Sequence, residues 1–185
     1  MSLVNIAGTV SKSKLTNVQE GDVQPNAVDL RAQRMFEIDG GTPFAIGGVD
    51  DAGKELKVHR KKTEIFPQPG ADGQEYFILE PGKAYEVLMD NKIGVAVGES
   101  GWKITRSTLV RNGVVVFSGL YDAGYGLGED EPTGAMGGVI FNPIGFTYIA
   151  PNTRIAQYVC VEAETLHKYD GDYQKGNRQG DRYEK

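Results

Sequence analysis

The most regular alternation of apolar and polar positions in this chain lies between Glu75 and Val97. Tyr76-Phe-Ile-Leu79, a Pro81-Gly82 turn and Ala84-Tyr-Glu-Val-Leu-Met89 read as two strands, and a turn at Asp90–Lys92 leads to a third at Ile93–Val97. Shorter runs predict strands at Thr63–Phe66, Val114–Phe117, Gly138–Phe141, Phe146–Ile149 and Ile155–Glu162. Val23 to Ala32, followed by Met35-Phe-Glu-Ile38, reads as loop, strand and turn, and residues 1–22 have room for one short helix or strand. Only Ser107–Asn112 reads as helix, with Ser107 as its N-cap, Gly113 ending it, and Leu109 and Val110 turned to the core. Short strands recurring about every ten residues predict an all-β, jelly-roll-like fold. From Leu166 the chain is polar, aromatic and Gly-rich, which divides it into a β domain at 1–165 and an exposed tail at 166–185.

Composition narrows the class. The 185 residues suffice for one domain with a proper core. The 25 glycines are scattered without a triplet period, which excludes collagen and favours a turn-rich β protein. Cys160 stands alone, so no internal disulfide forms, and its setting in Tyr-Val-Cys-Val-Glu predicts a buried structural thiol. No apolar stretch approaches the ~20 residues of a membrane span and no signal-peptide core is visible, so a cytoplasmic location is expected. A net charge of −5 argues against nucleic acid as a partner; an anionic ligand needs local Arg or Lys clusters or a divalent cation.

Several conspicuous residues have an ordinary structural reading. His59-Arg-Lys-Lys62 suits a solvated strand edge that deters pairing. His59 and His167 lack the spacing of zinc ligands. Trp102 reads as a core or interface anchor, and Tyr169 and Tyr173 divide between subunit docking and ligand contact.

The candidate chemistry begins at Arg106-Ser-Thr-Leu-Val-Arg111. A capped helix start there points unpaired N–H groups, two hydroxyls and the flanking arginines towards one spot, an arrangement suited to an anion. Asp122-Ala-Gly124, by itself, is the ordinary use of Asp in a turn. Read together, Val23-Gln-Pro-Asn-Ala-Val-Asp-Leu-Arg31, Arg106 to Gly113, Asp122-Ala-Gly-Tyr125 and Pro151-Asn-Thr-Arg-Ile-Ala-Gln157 resemble the ordered motifs of the dUTPase/dCTP deaminase superfamily. The form of the first motif and the tail Tyr169-Asp-Gly-Asp-Tyr173 lean towards the dCTP deaminase-like branch, which also contains dUTPases.

The resemblance implies a distorted jelly roll that assembles as a homotrimer with active sites between subunits. It implies that Asp29 helps hold a hydrated Mg²⁺ on the triphosphate. Arg106, Ser107 and Thr108 match the phosphate-binding helix start, Arg111 a second basic residue, and Gln157 a polar contact to phosphate or base. Asp122 matches the carboxylate that activates water, and Tyr125 the ring stacked on deoxyribose. Hydrolysis at an α-phosphorus needs those roles independently: an aligned water, a carboxylate to take its proton, and cations to offset charge.

The deaminase branch carries a glutamate three residues before the Asn that ends the strand after the Asp-x-Gly motif. Here that Asn is Asn142 and the residue is Val139, which cannot move protons. The expected activity is therefore dUTP hydrolysis to dUMP and pyrophosphate. The alternatives are a dCTP deaminase, bifunctional or not, with an unconventional proton shuttle such as Glu129 or Glu131, and a catalytically silent nucleotide-binding protein. The segment 128–135 reads as an acidic insertion in the base-reading hairpin. In the tail, Asp172 stands where a Lys is expected, with Lys175 nearby.

Overall fold

A computed structural model describes residues 2–171 except 50, 52 and 54, with only the backbone of 55–57. In chain order its elements are β1 (Leu3–Val4), β2 (Lys14–Leu15), a 3₁₀ turn at Glu20–Asp22, β3 (Val28–Ile38), β4 (Ala45–Val49), β5 (Glu55–Val58), β6 (Lys62–Ile65), β7 (Gln68–Pro69), β8 (Glu75–Leu79), β9 (Lys83–Gly94), β10 (Glu99–Thr105), α1 (Ser107–Arg111), β11 (Val115–Phe117), β12 (Gly134–Asn142), β13 (Thr147–Ile149) and β14 (Arg154–Glu162). The main sheet runs β1-β14-β3-β9-β12-β11, with β10 on β14, β2 on β9 and β6 on β3.

The long strand β3 explains how this sheet encloses a core. Its first half pairs with β14 (Asp29 opposite Gln157), and its second half with β9 (Met35 opposite Val87). A register shift between Ala32 and Arg34 separates the halves, and such a bulge bends a strand. The alternation read from the sequence supplies the inward face: Leu30, Met35, Tyr85, Val87, Ile93, Ile140, Ile155 and Tyr158 are all essentially inaccessible. Each large side chain so buried contributes roughly 1.5–3 kcal/mol. The expected all-β, jelly-roll-like fold is what the chain adopts, with one short α-helix among the described residues.

Local expectations fared unevenly. The turn predicted at Asp90–Lys92 is absent, because β9 continues through it to Gly94. Asn91 is buried; its Nδ2 donates to the Thr16 carbonyl at 2.8 Å and the Thr16 N–H donates to the Lys92 carbonyl at 2.9 Å, so the residue just after β2 carries its pairing into this turn-like triplet. β12 starts at Gly134, four residues before the expected Gly138. The N-cap of α1 is Arg106, not Ser107, and it makes no side-chain capping bond. Leu109 packs on the core, but Val110 is 53% exposed. Successive helical residues diverge by about 100°, so one short turn cannot bury both. Gly113 ends the helix at φ 76°, as expected.

Cys160 is buried, and its thiol lies 3.4 Å from Glu99 Oε2; burial and that carboxylate push its pKa up to about 12, which leaves it inert. Burial of Glu99 favours its neutral form, but hydrogen bonds from Ser13, Lys12 and Ser11 overcome this and hold its carboxyl below the ordinary range. The N-terminal segment is thereby tied to β10. In the basic patch, His59, Arg60 and Lys61 are exposed, while Lys62 pairs with Glu86 at 2.6 Å. At the other end, Leu166 is exposed, whereas the Tyr169 N–H donates to the Ala123 carbonyl at 2.8 Å. Residues 172–185, including Asp172, Tyr173 and Lys175, lie outside the described residues. Among the described residues no helix is long and apolar enough to cross a membrane.

Candidate active site

The predicted site residues form two groups. The first gathers where β3, β14 and the start of α1 meet. Asp29 has no solvent exposure. Its Oδ1 accepts from Gln157 Nε2 at 2.9 Å and lies 3.3 Å from Arg106 Nε. Its Oδ2 faces Gln24 Nε2 at 3.4 Å and Arg154 Nη1 at 3.5 Å. The ladder makes this possible: opposite residues of an antiparallel pair project to the same face, which puts Gln157 beside Asp29. Arg106 reaches in from the helix cap, and its Nη1 also donates to the Arg154 carbonyl at 3.2 Å. Ser107, Thr108 and Arg111 are exposed on α1 just beyond. Arg154 and Gln24 belong to this group although the sequence reading assigned them no role; the signal was their presence within the motifs that hold Asp29 and Gln157.

This environment also tests Asp29 as a metal holder. Both of its oxygens face guanidinium or amide donors, and neither is exposed. A hydrated Mg²⁺ needs an outward oxygen for its waters. Within one chain Asp29 does not fit that ion; it fits the role of an anion that aligns two arginines. Among the described residues no three of His, Cys, Asp or Glu gather as a metal site.

The second group surrounds the turn after β11. Asp122 is exposed, and its carbonyl accepts from the Tyr125 N–H at 3.0 Å, which closes the turn. Tyr125 is largely buried, its hydroxyl donating to the Ala135 carbonyl at 2.8 Å. Its ring meets Tyr121 at 5.7 Å and the edge of Tyr169 at 5.5 Å. Gly126 and Gly134 allow this approach: a Cβ on Gly126 would collide with the Ile93 carbonyl, and one on Gly134 would lie 2.6 Å from the Tyr125 ring. The acidic insertion beyond is closed at its base, where the Thr133 N–H donates to the Gly126 carbonyl at 2.9 Å.

Asp122 stands between two clefts. One, of about 290 Å³, is walled by Tyr121, Tyr125, Ala135, Gly137 and Tyr169. The other, of about 580 Å³, is lined by Glu164 and Asp170 as well as Asp122, charges that repel a polyphosphate. The smaller cleft, with aromatic rings on one side and peptide groups on the other, suits a sugar and base. Arg106, Ser107, Thr108, Arg111, Gln157 and Asp29 line neither cleft. From β12 it is Ala135 and Gly137 that face the smaller cleft; Val139 sits further along, opposite Phe117. The proton-shuttle question therefore turns on Gly137 as much as on Val139, and neither residue can carry a proton. An exposed carboxylate at the mouth of such a cleft can take a proton from water.

An antiparallel jelly roll with a glycine-walled cleft and a carboxylate beside a tyrosine defines a class, and residues 4–162 match the dCTP deaminase-like family model: the chain belongs to that family. It is 31% identical over 169 residues to the deoxyuridine 5'-triphosphate nucleotidohydrolase of Methanocaldococcus jannaschii, covering 91% of this chain and 97% of that protein. It is 30% identical over 160 residues to the probable deoxyuridine 5'-triphosphate nucleotidohydrolase of Methanosarcina mazei, covering 85% of this chain and 84% of that one. The crystal structure of the 2'-deoxycytidine 5'-triphosphate deaminase of Agrobacterium tumefaciens superposes with a TM-score of 0.56 at 17% identity over 84% of this chain. The present chain spans only 45% of that protein's length, and the likeness shows the shared fold.

Proposed function

We propose that this chain is a dUTP diphosphatase that yields dUMP and pyrophosphate. The observation that carries the reading is Asp122, exposed at the mouth of a cleft whose peptide wall, Ala135 and Gly137, brings no proton-carrying side chain. On this reading Asp122 takes a proton from water as the water oxygen bonds to the α-phosphorus. The bond from that phosphorus to the bridging oxygen breaks, and pyrophosphate leaves. The Tyr125 ring backs the deoxyribose, leaving little room for a 2′-hydroxyl. Arg106, Ser107, Thr108 and Arg111 receive the phosphates, and Gln157 adds a polar contact. Asp29 aligns Arg106 and Gln157. Because Asp29 has no oxygen open to a cation, Mg²⁺ enters the proposal only as a counter-ion arriving with the triphosphate.

The two groups of residues do not share a cleft within one chain, which supports a homotrimer with sites built between subunits. The division into a β domain at 1–165 and a tail at 166–185 that covers the site belongs to the same proposal, supported by Tyr169 against Tyr125. A cytoplasmic enzyme of the deoxynucleotide pool, without nucleic acid or membrane as partner, agrees with the charge and the lack of a spanning helix among the described residues. Incubation with dUTP and with dCTP, reading pyrophosphate and ammonia, tests the activity. Pyrophosphate from dUTP is expected. Ammonia from dCTP would assign a deaminase instead, and no product from either would leave a silent binding protein.

A further inference from the structure

Lys103 is a cation that the proposed reaction does not use. It lies on β10, where alternation turns Gly101, Lys103 and Thr105 to one face and leaves Trp102 and Ile104 on the other. Lys103 is only 4% exposed, and its Nζ donates to the carbonyl of Gly137. The Tyr121 hydroxyl donates to that same carbonyl at 3.1 Å. The ammonium also lies 5.8 Å from the centre of the Tyr121 ring. Room for it comes from Gly138, where a Cβ would stand 2.9 Å from Nζ. Gly137 and Tyr121 are both walls of the smaller cleft.

Two consequences follow for whatever base enters. A backbone carbonyl has two acceptor lone pairs, and two donors already engage the one at Gly137. Nothing remains there to accept from an amine. The buried charge behind the wall also sets a positive potential, which favours a ligand oxygen over a ligand N–H. We propose that Lys103 is a positioning residue for base selection, acting through Gly137 so that the cleft takes 4-oxo pyrimidine nucleotides in preference to 4-amino ones. This rests on the reading that the cleft holds the base of a deoxynucleotide.

Keeping a lysine there is costly. Burial lowers its pKa to about 7, although Glu86 pulls the other way. The groups facing it are Tyr121 before the cleft, Glu86 on β9, itself paired with Lys62, and Tyr158 opposite it on β14. Between about pH 7 and the ordinary 10.5 the unfolded chain binds more protons, so this group makes stability rise with pH across that window. The penalty attaches to the ammonium rather than to the stem, so an apolar replacement of similar size is often neutral or stabilising.

The test is equilibrium binding of dUTP and dCTP to the full chain in EDTA, comparing wild type with Lys103→Met, with a Tm for each. Wild type is expected to bind dUTP about tenfold or more tighter than dCTP, the scale of the penalty for an amine left without an acceptor. In Lys103→Met the ratio falls to within about threefold while Tm at pH 7 is equal or higher. In wild type alone the ratio shrinks between about pH 6 and about pH 8.5 as Lys103 loses its proton near 7. An unchanged ratio in the variant, selectivity and Tm falling together, or a wild-type ratio indifferent to pH overturns the inference. A wild type that prefers dUTP to dCTP in this Lys103-dependent way but releases no pyrophosphate breaks the proposed function and leaves Lys103 standing. A hydrolase whose selectivity ignores Lys103 breaks this inference alone.

Discussion

Asp29 and Asp122 are the same residue type in opposite surroundings. Asp29 is sealed in the ladder between β3 and β14, with both oxygens engaged by arginine and amide donors. Asp122 sits in the open on a glycine-supported turn between two clefts. A carboxylate whose charge is already compensated is an anchor: it holds cationic groups in register but has nothing left for a passing proton. A carboxylate facing solvent can exchange protons, and its position comes from the backbone turn rather than from partners. The difference separates geometry from chemistry within one candidate site.

Three substitutions break or sharpen that contrast. Asp122→Asn has the largest expected effect on rate: kcat for dUTP falls ~10²–10⁴-fold with little change in KM. Because the side chain is exposed, Tm stays within about a degree of wild type. Steady-state kinetics with a thermal melt would show it, and turnover surviving within about tenfold would remove Asp122 from the role of base. Asp29→Asn is expected to reverse the pattern. It leaves two arginines without their counter-charge, costs about 2 kcal/mol, and lowers Tm by roughly 4–8 °C. Its kcat/KM drops on the order of tenfold through misaligned Arg106, since small displacements are expensive in a preorganised site. An unchanged melt would show that the ladder, not Asp29, holds this corner. Tyr125→Phe is the mildest: it removes the hydroxyl bond to Ala135 and keeps the ring, costing about 1 kcal/mol with kcat/KM within about threefold. A larger loss would mean that the hydroxyl itself meets the substrate.

Much of this architecture was legible in the chain. Period-two alternation located β8, the first part of β9, β11, β13 and β14 to within a residue or two, because each has one face on the core. The short helix, though not its N-cap, and the buried thiol of Cys160 were readable for the same local reasons. What escaped depended on distant neighbours. Asp90–Lys92 has the polarity of a turn, and partners far away in sequence, Thr16, Arg31 and Ala135, hold it in the strand. The glycines opening β12 look like a loop until Tyr125 and Ile93 are seen pressed against them. Strand β10 and its buried Lys103 were not anticipated, although a lysine flanked by Trp102 and Ile104 was the available hint.

The sequence by itself determined the fold class, the short α-helix after Arg106 and the set of residue types from which a site could be built, because these follow from side-chain periodicity and turn chemistry acting over a few residues. Tertiary structure alone decided which carboxylate is locked and which is open, that Gly137 and not Val139 walls the cleft, and that a lysine lies buried behind it. Those outcomes depend on register across β3, β9, β12 and β14, where residues dozens of positions apart become neighbours. Desolvation and pairing are set there, and with them the difference between an anchor and a base.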